Sequence, residues 1–159
     1  MTMTDRVKAC GSIALGLLFT VGTLSCGSRP PIDDRVPPAH IEKAISLKAP
    51  FGDARNASAE IVAAGKTLYE GKGTCHLCHG MEGKGDGPAT HMHPNNPPRD
   101  FTDCAVQRDR DDGELFWIIK YGSTGTAMKG LIPSLLSEEE GWKVVAYLRT
   151  LCKWGQPPA

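Results

Sequence analysis

Residues 73–80 read GTCHLCHG, with Cys75 and Cys78 three positions apart and His79 directly after the second cysteine. Three chemistries use such a run. A zinc knuckle takes both thiolates and needs further ligands, ordinarily from a second close pair. A redox dithiol shares the Cys-x-x-Cys spacing and sits after a strand in a βαβ unit. Covalent haem attachment uses all three residues. The two thiols add across the vinyl groups on one porphyrin edge, and the adjacent histidine is delivered to the iron.

The other cysteines narrow the choice. They are Cys10, Cys26, Cys104 and Cys152. Cys10 and Cys26 belong to the front of the chain, and Cys104 and Cys152 are far apart, so no second close pair serves zinc. The pattern around the motif is helix and loop rather than strand, which does not suit a dithiol. Haem attachment remains, and a single motif implies one covalently attached haem c.

The 159 residues allow one modest domain, and the 18 Lys+Arg balance the 18 Asp+Glu. Without a basic tract or net charge, nucleic acid is not an expected partner. Arg6 and Lys8 precede an apolar run from Ala9 to Leu24, the plan of a secretory signal. That run is shorter than the ~20 residues that span a bilayer comfortably. TLSCGS around Cys26 resembles a bacterial lipobox, in which the cysteine is lipidated and becomes the mature N-terminus. Residues 1–25 are therefore expected to be a lipoprotein signal peptide, with a retained membrane anchor or plain cleavage and release as the alternatives. Residues 26–57 contain SRPPIDDRVPPAH and show no apolar period, which predicts a Pro-rich flexible tether.

The domain is expected over residues 58–155, with 156–159 as a tail. Ser58 can cap a helix over SAEIVAAGKTLYE, in which Ile61, Leu68 and Tyr69 recur at helical spacing. Gly65 within it suggests close approach by another helix. DDGELFWIIKYG predicts a second, largely buried helix capped by Asp111 or Asp112 and closed by Gly122. SEEEGWKVVAYLRTLCKWG predicts a third. Ser137 and Glu140 form a capping box at its start, and Arg149 and Lys153 lie near its negative end. The predicted fold class is all-α: three main helices, long loops, and a core too thin to stand without a large buried group.

In order, helix, Cys-x-x-Cys-His, loop, helix, methionine loop and helix, residues 58–154 resemble a class I (mitochondrial-type) cytochrome c. The resemblance implies a cytochrome c fold around one haem. It implies that Cys75 and Cys78 are the thioether anchors and His79 the proximal ligand. GKGDGPA resembles the family's Gly-Pro segment, which makes Pro88 the carbonyl acceptor for that histidine. Gly65 and Tyr69 match the first-helix pair that packs on the last helix, where Val144 and Tyr147 are the corresponding residues. The family's distal methionine lies between the last two helices, and Met128 is the methionine placed there. Met81 is too close to His79 to reach the opposite haem face, and His91, Met92 and His93 are the competing candidates. The family often writes Met-Pro at this point, whereas this chain has Met128-Lys129.

Arg99, in a PPRDF segment similar to those of related bacterial proteins, is a candidate to hold a haem propionate bidentately. In a secreted protein Cys104 and Cys152 are expected to pair. The expected function is a periplasmic, membrane-anchored monohaem carrier passing single electrons between a donor and an acceptor protein. It would act neither as an enzyme nor on a small-molecule substrate. A fixed haem subunit of a membrane oxidoreductase complex is the first alternative, and a haem peroxidase or gas sensor the second.

Overall fold

The computed structural model describes residues 35–92 and 96–153. The expected signal peptide, Cys26, the first residues of the tether, His93 and the 156–159 tail lie outside the described residues. Among the described residues the structure is helical: α1 Ile41–Ser46, α2 Ala59–Glu70, α3 His76–His79, α4 Cys104–Asp109, α5 Asp112–Tyr121 and α6 Glu138–Leu151. Short 3₁₀ turns at Pro38–His40, Ala54–Asn56 and Thr90–Met92 complete the set.

The crossing of α2 on α6 is the centre of the fold. Ser58 caps α2 by accepting from the Ile61 N–H, and Ser137 with Glu140 forms the capping box of α6. The two helices meet at Gly65, where a Cβ would lie 2.0 Å from the Lys143 carbonyl oxygen. No side chain fits there, which explains a helix-interior glycine that costs about 1 kcal/mol in propensity. One turn on, Tyr69 and Tyr147 pack edge to face with ring centroids 5.2 Å apart. The helix α5, capped by Asp111 and ended by Gly122 at φ +82, lies against α6 by stacking Phe116 on Trp142 at 4.1 Å.

The first departure from expectation is at residues 35–57. Composition predicted tether, but this segment is folded onto the domain. Val36 and Ala44 are fully buried with Trp117, and His40 stacks on the same indole at 5.1 Å. The α1 carbonyls approach α5 so closely that a Cβ on Gly113 would lie 2.0 Å from the Ala44 oxygen. Ala54 N–H donates to Asp112 at 3.0 Å. Prolines and charges hid the anchors, because the buried residues are small or isolated and show no period.

The second departure is α4. It begins at the expected loop-to-helix tie: Cys104 and Cys152 form a disulfide, with Cα atoms 5.2 Å apart. Asp103 caps α4 by accepting from the Ala105 N–H. The third is Arg149, expected near the negative end of α6 but in fact fully buried. Its guanidinium donates to Asp112 at 2.6 Å, to the Gln107 carbonyl and side chain, and to the Arg110 carbonyl. Gln107 in turn donates to the carbonyls of Phe101 and Leu148. One arginine thus ties α4, α5 and α6 together.

Candidate haem-binding site

The Cys-x-x-Cys-His run forms the single turn α3, and its main chain is bound almost completely. Cys75 N–H donates to the Tyr69 carbonyl at 3.0 Å, which joins the motif to the end of α2. From the other side the glycine-rich loop folds back. Gly85 N–H donates to the His79 carbonyl, Gly87 N–H to Cys78 and Ala89 N–H to Leu77. Thr90 Oγ1 also donates to Cys78 at 2.9 Å. Gly85 holds φ +77, and a Cβ there would meet the Pro98 carbonyl oxygen at 2.6 Å. Glycine is needed at this position for both reasons.

His79 Nδ1 lies 3.0 Å from the Arg99 carbonyl oxygen, and its ring stacks on Phe101 at 4.5 Å. A proton on Nδ1 donated to that carbonyl leaves the Nε2 lone pair free to bind a metal. Burial pushes the imidazolium below its ordinary range, the Arg99 carbonyl opposes this, and the Arg35 charge adds to it. The ring is thus neutral and oriented, as an axial ligand must be.

This corrects the role expected of Pro88. The loop that carries it returns its N–H groups to the motif's own carbonyls, and Pro88 is exposed and outside the cavity lining. The chain crosses His79 later, at Pro98-Arg99, so the acceptor is the Arg99 main chain. Arg99 therefore works through its carbonyl, while the residue itself lines the cavity.

Cys75, Cys78, His79 and Met128 line one cavity of about 280 Å³. Met128 sits on a hairpin-like loop between α5 and α6, where Gly122 and Lys129 pair. Ser123 N–H donates to the Met128 carbonyl at 2.9 Å, and Met128 N–H donates to Thr126 Oγ1 at 3.0 Å. The rival candidates lie elsewhere. His91 and Met92 are exposed on a 3₁₀ turn, Met81 is exposed, and none of them lines the cavity.

The donor set also speaks against the other chemistries. Burial pushes the Cys75 thiol up to about 11, whereas a working redox dithiol needs a depressed value. Cys104 and Cys152 are bonded to each other and are not available to complete a zinc site.

The walls are apolar, with Leu115, Ile118, Ile119, Leu131 and Leu148 among them. Among the described residues the charged groups on the lining are Arg35, Arg99, Arg110 and Lys129, with no carboxylate beside them. Ser123 Oγ is buried there, with no hydrogen-bond partner among the described residues. A flat apolar group with two carboxylates fits such a lining, and haem is one. Sequence reasoning named Arg99 but missed Arg35, Arg110 and Ser123. Arg110 had a faint signal, since Glu114 stands four residues on, and the two form a buried ion pair at 3.0 Å.

A family model for cytochrome c matches residues 62–152. The chain belongs to the cytochrome c family. That family is one of haem-binding electron-transfer proteins. This cytochrome c domain is also similar to a chain of the reducing HAO-like protein complex of Kuenenia stuttgartiensis, at 27% identity and TM-score 0.53. That match covers 69% of this chain but only 49% of the other, so this cytochrome spans about half of its relative's length. The KustC0563 c-type cytochrome is similar at 26% identity and TM-score 0.47, with 56% of this chain and 98% of that one covered. No curated protein matches the sequence.

Proposed function

We propose that this protein is a class I monohaem cytochrome c, lipid-anchored through Cys26 on the periplasmic side of a membrane, which carries single electrons between redox proteins. The observation that carries the reading is the convergence of Cys75, Cys78, His79 and Met128 on one apolar cavity. Haem held there supplies a one-electron ferric/ferrous couple. The chain's own residues do the rest. Cys75 and Cys78 would hold the porphyrin covalently, and the Arg99 carbonyl sets the His79 tautomer. Met128 would supply a thioether, which favours a raised potential. With His79 and Met128 both binding iron, the haem would offer no open position to a substrate. The Cys104–Cys152 disulfide supports an oxidising compartment.

The test is Met128→Ala. The wild-type ferric protein should show the weak red absorption of methionine-ligated haem and should not bind carbon monoxide when reduced. The variant should lose the band and gain carbon monoxide binding. Persistence of the band in the variant would reject Met128 as ligand, and carbon monoxide binding by the wild type would favour a gas sensor.

A second reading has one observation behind it. Similarity to a chain of a reducing HAO-like complex supports a fixed electron-transfer subunit in an oxidoreductase assembly. Solubilisation in mild detergent separates the two: a carrier is recovered alone, and a subunit with stoichiometric partners.

A further inference from the structure

We propose that Arg35, held at the haem cavity by the folded segment 35–57 ahead of the region that defines the family, is a positioning residue for a haem carboxylate. The inference rests on the haem reading above and concerns what the family region alone does not contain.

The geometry begins with the anchor. Val36, next to Arg35, is fully buried against Ala44 and Trp117. Ile118 packs on the same cluster and lines the cavity, so anchor and cavity share a wall. Three further ties hold the segment to α4 and α5. His40 stacks on Trp117, Ala54 N–H donates to Asp112, and Arg55 donates to the Gln107 carbonyl at 3.2 Å. With its neighbour fixed, Arg35 is held at the cavity lining rather than sweeping through solvent.

Charge makes the assignment chemical. Among the described residues the charged groups on the cavity lining are cationic. Arg99 and Arg35 come from separate parts of the chain, one from the loop that crosses His79 and one from the segment ahead of α1. Haem carboxylates set against these guanidiniums would be recognised by the planar, bidentate pairing that arginine offers. A fixed positive charge at that edge also disfavours the ferric state, which carries one more positive charge than the ferrous state.

The experiment compares haem-loaded full-length wild type with Arg35→Gln, Arg35→Lys and Arg108→Gln by redox titration. Arg108 is exposed on α4 beside Asp109 and controls for net charge. Arg35→Gln should shift the ferric/ferrous equilibrium toward ferric about threefold to tenfold, tenfold being about 59 mV for a one-electron couple. Arg35→Lys should restore part of the shift, and Arg108→Gln should leave the potential at the wild-type value. Equal potentials in wild type and Arg35→Gln would overturn the inference, as would an equal shift in Arg108→Gln. If wild type itself fails to take up haem covalently, the haem reading falls instead. If Arg35→Gln does not accumulate, Arg35→Lys at the wild-type potential with haem attached supports the charge role, and a fall as large as removal of the charge would give rejects it.

Discussion

Replacing Arg149 with Met should lower the stability of the folded protein by about 3–5 kcal/mol, the usual loss when one partner of a buried ion pair is removed. The guanidinium is fully buried, and its partner Asp112 is largely so. Removal leaves the Asp112 carboxylate with the Ala54 N–H and the Gln107 carbonyl with Arg55, and takes the Arg149 donor from the Arg110 carbonyl. Each lost bond to a buried acceptor adds a desolvation penalty. Met keeps the apolar stem, so the loss reads the polar head rather than a cavity. Lysine should rescue poorly, because one ammonium cannot reproduce a planar fan of donors to three partners. Urea unfolding measures the effect. A loss under about 1 kcal/mol would mean that the network adds little beyond packing.

The second large effect is on the disulfide. Cys104 and Cys152 close a loop with a sequence separation of 48, for which chain entropy gives about 4 kcal/mol of stabilisation. The loop encloses α5 and the Met128 segment, so it restrains the ligand loop in the unfolded chain. The Cys104→Ala/Cys152→Ala pair, or reduction of the wild type, should lower the unfolding free energy from urea titration by that amount, with a correspondingly lower midpoint. Unchanged midpoints in oxidised and reduced protein would contradict the assignment.

Where sequence and structure agreed, the reason was periodicity or spacing. The α2, α5 and α6 helices have apolar faces and side-chain caps within a few residues, and such local signals survive in any tertiary setting. The haem motif is equally local, because its chemistry demands adjacent residues. The errors all concern contacts between distant parts of the chain. Pro88 was assigned by its place after the motif, yet the backbone crosses His79 at Arg99, and only the loop's return path shows this. Arg149 reads as a dipole partner until Asp112 and Gln107 are seen around it. Residues 35–57 lack a period because single buried residues, Val36, Ala44 and Ala54, do the anchoring. Arg35 could not be placed at the cavity before that anchoring was known.

The most direct test of the central claim is whether haem stays with the denatured polypeptide. Protein exported in a host able to attach haem c should retain one haem per chain after acid and organic-solvent extraction, and the Cys75→Ala/Cys78→Ala variant should retain none. Haem extracted completely from the wild type, or stoichiometric zinc in its place, would contradict the account.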